Sequence, residues 1–259
     1  MFQRLAMVAA ALGLVAQVNP IEAATFYFIR HAESTANTGQ ASTPAEVVDP
    51  PLTALGQQQA VDLAVALQGI DLTTVYVSKY QRTQLTIAPA AADHGLTPVL
   101  DPNIHEWSFG TTMPVIDEFR ALFGEWGAGN YDARLASSPD SESLNELNAR
   151  VLPAYRSIID AHKDEDGGVA IVGHGGSIGW TMPFFANNVT PDFALANSLH
   201  NTAIVKVRLD ANGDPMVTDW DGIRFDAKGP APVPLPSSAL MLLAAAGGLG
   251  AWRRARRAA

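Results

Sequence analysis

The sequence contains no cysteine. That excludes disulfides, thiolate metal sites and a cysteine nucleophile, and leaves the redox compartment open, because an exported protein need not carry disulfides. There is no His-x-His pair, and no clustering of carboxylates suggests a bound metal. Positive charge is scarce: 17 Lys and Arg stand against 26 Asp and Glu, a formal net charge of −9. No internal repeat is present. What remains is an ordinary globular composition, 47% hydrophobic with 21 glycines. A chain of 259 residues can hold one α/β domain or two small ones.

The two ends differ from the body. Residues 1–24 carry Arg4, the apolar stretch Leu5 to Val18 and then Ala23-Ala24, the order of a secretory signal peptide. Glu22 sits awkwardly three places before a cut after Ala24, and a retained N-terminal anchor helix is the alternative. At the other end, residues 230–259 hold a proline-rich spacer (Pro230 to Pro236), a small-residue apolar stretch (Ser237 to Trp252) and Arg253-Arg254-Ala255-Arg256-Arg257. The apolar stretch is marginal against the roughly 20 residues of a spanning helix, and the arginines would lie on the cytoplasmic side. Arg4 and the four tail arginines are five of the 17 basic residues and Glu22 is one of the 26 acidic ones, so residues 25–229 keep 12 against 25, a charge of −13. Such a body repels nucleic acid and anionic membranes. A cationic pocket within it suits a small phosphorylated ligand.

Between the ends, strand and helix signals alternate, which predicts a three-layer α/β/α domain over 25–229 with a mainly parallel central sheet. Strands are expected at Thr25–Arg30, Thr74–Ser78, Thr97–Leu100, Val169–Gly173, Ala203–Leu209 and Pro215–Trp220, the last two paired. Thr53 can cap a helix running to about Gln68. Further helices are expected at Tyr80–His94, with a kink or early end at Pro89, at Pro114–Trp126, at Ser141–His162, and from Gly175-Gly176. Residues 111–140 read as an insert over the active edge, a usual place for a substrate-selecting lid.

Two strands end in chemistry. Thr25-Phe26-Tyr27-Phe28-Ile29 runs into Arg30-His31-Ala32, and Val169-Ala170-Ile171-Val172-Gly173 runs into His174-Gly175-Gly176. Ligands of open α/β sheets bind at the carboxyl ends of strands, so these two could build one anion pocket. Arg30 and Arg82 each offer a planar fork for two phosphate oxygens, and the glycines after His174 let backbone amides approach an anion.

RHAES (Arg30 to Ser34) with Asn37 resembles the signature of the histidine phosphatase superfamily, the phosphoglycerate mutase-like group, in its branch with an upstream glutamate acid. Leu52-Thr53-Ala54-Leu55-Gly56-Gln57-Gln58-Gln59-Ala60, Ser78-Lys79-Tyr80-Gln81-Arg82-Thr83, Glu106-Trp107-Ser108-Phe109-Gly110 and Ser141-Glu142-Ser143 with Arg150 resemble four further motifs of that family, in its order. Ala32 and Ser141 stand where many relatives have glycine. The resemblance implies a phosphoglycerate mutase-like fold and a phosphohistidine reaction with no cofactor. His31 would be the nucleophile, Glu106 the proton donor and His174 a second pocket imidazole bonded to the phosphoryl group. Arg30, Asn37, Arg82 and His174 would hold the phosphate. A neutral imidazole attacks phosphorus, water cleaves the adduct, and a poor alkoxide leaving group needs the acid. His105, beside Glu106, competes for the acid role. Glu33 reads as structural, bonding neighbouring amides. His94 and His162 read as helix C-terminal cations. Trp107, Phe109, Trp126 and Tyr131 either line the mouth or fill the core.

Three functions fit: an exported phosphomonoesterase, a mutase that returns the phosphoryl group to substrate, and a non-catalytic phosphate-binding surface protein. The insert carries only Arg120 and Arg134 as basic residues, which points to small monoesters. The tail resembles the VPLP-type PEP-CTERM sorting signal. That resemblance implies export across the inner membrane of a Gram-negative bacterium, transient anchoring, and an exosortase-type protease as partner.

Overall fold

The structure, a computed structural model, describes residues 24–40, 48–111, 116–226 and 228–230. The segments read as a signal peptide and a sorting tail lie outside the described residues, apart from Ala24 and Pro230. Among the described residues no helix is long and apolar enough to cross a membrane.

The strand β4 (Gly168–Gly173) is buried at all six positions, as a continuous apolar run at the centre of a sheet must be. It lies between β1 (Thr25–Arg30) and β2 (Leu72–Val77), parallel to both, and β3 (Val99–Leu100) continues the parallel half. Beyond β1 the direction reverses. There β5 (Ile204–Leu209), β6 (Pro215–Trp220), β7 (Ile223–Asp226) and β8 (Gly229–Pro230) add an antiparallel half, giving the order β3-β2-β4-β1-β5-β6-β7-β8.

Helices cover both faces, because alternate strand residues point to opposite sides. Ile29, Val75, Val77, Ala170 and Val172 pack against α1 (Ala54–Leu67) and α2 (Gln81–Asp93) through Leu63, Leu67 and Ile87. Phe26, Phe28, Val169 and Ile171 share the opposite core with α4 (Leu144–His162) and α5 (Gly175–Phe185); α3 (Ile116–Gly127) joins that core through Leu122 and Trp126. The ring of Phe28 meets those of Tyr155 and Phe185 edge-on at 4.7 and 5.7 Å.

Local signals set the helix ends. Thr53 Oγ1 accepts from Gly56 N and donates to Glu33 Oε1, so Glu33 is structural but holds a hydroxyl rather than amides. Helix α4 starts at Leu144, three residues later than the apolar pattern suggests. Ser143 and Glu146 form a reciprocal capping box that fixes this start. Helix α2 runs through Pro89 to Asp93 without ending early. The α1–α2 layer holds it, with Ile87, Ala90 and Ala91 all buried. Four elements were not expected: a 3-10 turn at Pro102–Ile104, the short α6 (Pro191–Ala196), and the strands β7 and β8.

Candidate functional site

In the pairing of β1 with β4, Arg30 is opposite Gly173. His31 and His174 therefore leave the sheet at the same level, and His31 N still donates to Gly173 O at 3.0 Å. Their rings meet edge to face with centroids 5.2 Å apart. Both side chains are almost wholly buried, at 4% and 0% exposure.

The hydrogen bonds fix both tautomers. A carbonyl only accepts, so His31 Nδ1 donates to Ala32 O at 2.7 Å, and the lone pair is left on Nε2. An arginine only donates, so His174 Nδ1 accepts from Arg82 Nε at 3.2 Å, and its Nε2–H faces Ser78 Oγ at 2.8 Å. Burial, and then the charge of Arg82, hold the pKa of each imidazole well below the ordinary histidine value; Arg30 acts in the same direction. Both rings are thus neutral near pH 7. The ring of His174 has both nitrogens engaged, so its Nδ1 can donate to a phosphoryl oxygen only after Arg82 leaves it and a proton moves there, with Ser78 Oγ then donating to Nε2.

Two guanidinium groups flank the imidazoles. Arg82, at the start of α2, packs over the Tyr80 ring at 4.5 Å and lies 4.0 Å from Asp49. Arg30 donates through Nη1 to Leu199 O, while its buried Nε has no hydrogen-bond partner among the described residues. A buried, unmatched donor on a cation is a place for an anion. Asn37 accepts from Ser34 N and Ser34 Oγ at 3.0 and 3.1 Å, which orients the 34–37 turn. Asn201 supports the backbone of His31 by donating to His31 O, and Thr86 Oγ1 accepts from Ala32 N at 2.8 Å.

Glu106 reaches the first turn of α5. Its Oε1 accepts from Ser177 N at 2.7 Å and Trp107 N at 3.0 Å, and its Oε2 from Gly176 N at 3.1 Å. Two amides at that helix start, expected to meet the phosphate, are held by the carboxylate instead. The glycines permit this packing: a Cβ on Gly176 would stand 2.6 Å from Glu106 Oε1, and one on Gly175 would stand 3.0 Å from Arg30 Nε. Arg150 braces the loop that carries Glu106, donating to the carbonyls of Asn103 and His105 and pairing with Glu142 at 2.8 Å. His105 spends Nδ1 on the Glu106 carbonyl and is pushed down to about 4 by burial and Arg150. It is neutral near pH 7 and poorly placed to compete as the acid.

Two cavities share Glu106 and Trp107. One of about 300 Å³ also takes in Arg30 and the α5–α6 side; the other, about 80 Å³, takes in Arg82 and Tyr80. Phe109 lines the smaller one, Trp126 is fully buried core, and Tyr131 packs against Phe184 at 5.1 Å. Among the described residues no group of three His, Asp or Glu side chains is arranged to hold a metal.

Sequence reasoning placed His31, His174, Arg30, Arg82 and Glu106 at one edge of the sheet, where the structure has them together. It assigned no role to Ser78, Tyr80, Thr86, Arg150 or Asn201. Ser78 and Arg150 lie inside motifs already noted, which was the available signal. Thr86 and Asn201 carry no local signal, because their partners are 54 and 170 residues away.

Comparison with known proteins agrees with this geometry. The model of the histidine phosphatase superfamily (branch 1) matches residues 26–221. A PE-PGRS family protein of Mycobacterium tuberculosis is 30% identical over 80% of this chain, which spans only 37% of that protein. A 2,3-bisphosphoglycerate-dependent phosphoglycerate mutase of Brucella ovis is 28% identical over 73% of this chain and 93% of its own length. A phosphoserine phosphatase variant from Entamoeba histolytica, solved in complex with phosphoserine, superposes with a TM-score of 0.62 at 20% identity, covering 76% of this chain and 96% of that one.

Proposed function

The chain belongs to branch 1 of the histidine phosphatase superfamily, and from that premise we propose that it is a phosphomonoesterase working through a phosphohistidine on His31. One observation carries the reading. His31 is neutral, its Nδ1–H is tied to Ala32 O, and the lone pair is on Nε2, the condition a nitrogen nucleophile needs. Nε2 attacks phosphorus and the P–O ester bond breaks. Arg30 and Arg82 offset the charge on the equatorial oxygens, and Glu106 gives its proton to the departing oxygen. Water then attacks the phosphohistidine, Glu106 takes the proton, and phosphate leaves with Nε2 restored. His174 keeps Arg82 oriented, and it donates to a phosphoryl oxygen once that bond opens and a proton moves to Nδ1. Asn37 holds the turn beside the nucleophile and adds a contact to the phosphate. No cofactor takes part.

Hydrolysis is favoured over mutase chemistry by the larger cavity. A mutase must hold a second anionic group, and among the described residues lining that cavity Arg30 is the single cation. The enzyme is exported: residues 1–24 act as a signal peptide and 230–259 as a sorting tail for an exosortase-type protease, with the tail anchoring the protein transiently. Intact mass of the protein recovered from a Gram-negative host tests this, and a full-length species in the cytoplasm would count against it.

The activity test is phosphate release from an aryl phosphate by the full chain, with a chelator present and His31→Ala alongside. Turnover should survive the chelator and fall at least ~10³-fold in the variant, and acid-labile phosphate should be trapped on the wild type alone. Binding of phosphate without turnover would favour the non-catalytic reading.

A further inference from the structure

Both cavities meet at Glu106, the group proposed to protonate the leaving oxygen, and of the two the larger, about 300 Å³ against about 80 Å³, has room for the alcohol half of a substrate. Its walls beyond that point are mainly Trp107, Phe123, Trp180, Leu195 and Leu199, with Gly179 beside them and, among the described residues, the Ser198 hydroxyl as the one uncharged polar side chain. The aromatic walls are mutually braced: Trp107 meets Phe123 at 6.1 Å, and Phe123 meets Trp180 at 5.2 Å. Arg30 and Glu106, the only charged side chains among the described residues lining it, both sit at the reacting end. A carboxylate or second phosphate on the alcohol would be desolvated against mostly apolar walls, with no cation and only the Ser198 hydroxyl among the described residues to receive it beyond the reacting end. An alkyl chain or ring would exchange water for dispersion contacts.

Resting on the phosphatase reading, we infer that this cavity is the leaving-group subsite and that it selects phosphate monoesters of uncharged, apolar alcohols. At about 300 Å³ it is at the small end of ligand sites and fits one ring or a short chain. Gly179 is part of its lining. It lies inside α5, and a Cβ built there meets nothing within 4 Å, so a side chain at this position enters open space.

The test is a series of n-alkyl phosphates from ethyl to octyl, whose leaving-group basicity is nearly constant, against ω-carboxyalkyl phosphates of equal length, with the full chain. kcat/KM should rise about fourfold per methylene until the cavity is full. Each ω-carboxylate should cost at least about tenfold. Gly179→Leu should lower the octyl-to-ethyl ratio at least about tenfold, because its side chain occupies the site. Leu195→Lys, on the exposed rim, should raise the ω-carboxy-to-alkyl ratio about two- to fivefold. A flat alkyl series, preference for the carboxylated esters, or a Gly179→Leu effect equal at every length overturns the assignment. No release from any ester speaks against the phosphatase reading alone. Calorimetric binding of alkylphosphonates against their ω-carboxy counterparts then decides the subsite by itself, and equal affinity would overturn it.

Discussion

Glu106 and Gly176 touch at a distance that leaves no room for a side chain: the amide of Gly176 donates to Oε2 at 3.1 Å, and a Cβ on Gly176 would stand 2.6 Å from Oε1. Glu106 is therefore held by a helix start as well as by the loop that carries it. Gly176→Ala should push the carboxyl group away from the leaving oxygen. General acids contribute about 10²–10⁴-fold, so hydrolysis of an alkyl phosphate should fall by roughly that factor. A p-nitrophenyl ester, whose leaving group needs little protonation, should lose far less. Equal losses on both esters would mean that Glu106 is not the acid.

Arg150 should behave as a positioning residue for the same group. It holds the carbonyls of Asn103 and His105 and a Glu142 carboxylate in one fork. Arg150→Ala should lower kcat about tenfold or more with KM little changed, and more on alkyl than on nitrophenyl esters. Arg150→Lys should rescue poorly, because a point charge cannot replace the fork. A pure KM effect would place it in substrate binding instead.

The acid limb of the pH–rate profile should lie below about pH 6.5, the unperturbed histidine value, because burial, Arg82 and Arg30 all disfavour protonated His31. Arg82→Gln removes one positive neighbour, so His31 should accept a proton at higher pH and the limb should move up. An unmoved limb would show that the titrating group is not His31.

Stability should fall as pH drops below about 6.5. Folded His31 and His174 have depressed pKa values, so between the folded and unfolded pKa the unfolded chain binds more protons and gains. Each contributes up to about 1.4 kcal/mol per pH unit, and nothing above the unfolded value. Urea midpoints at several pH values should show the slope, and His174→Asn should remove about a third of it, because His105, pushed down to about 4, shares it with His31. A slope the same in variant and wild type would refute that assignment.

Trp126 is fully buried, and its indole N–H donates to Ala133 O at 3.0 Å. Trp126→Ala should cost about 3–5 kcal/mol. Because Trp126 packs on Trp107 and Trp180, it should also loosen the wall of the larger cavity. Thermal unfolding measures the first effect, and the alkyl series measures the second.

The centre of the parallel half was legible because β1 and β4 are apolar runs, and β4 carries its own burial in its composition. The site was legible where strand ends carry Arg-His and His-Gly-Gly. The α4 start was readable from Ser143 and Glu146, yet the apolar period pulled the expected boundary back to Ser141. Pro89 was weighed as a local breaker, while packing of Ile87 and Ala90 against the sheet layer decides that helix. The occupation of both His174 nitrogens depends on Ser78 and Arg82, 96 and 92 residues distant. No local pattern encodes that.

The antiparallel half has a mechanical consequence. The last described residue, Pro230, belongs to β8 at the free edge of the sheet, four strand places from β1. At ~4.8 Å per strand that is roughly 19 Å from the strand that carries His31. A tether beginning there would leave the cleft open to incoming molecules. A load on it would first peel a two-residue strand, well before any tension reached the imidazoles.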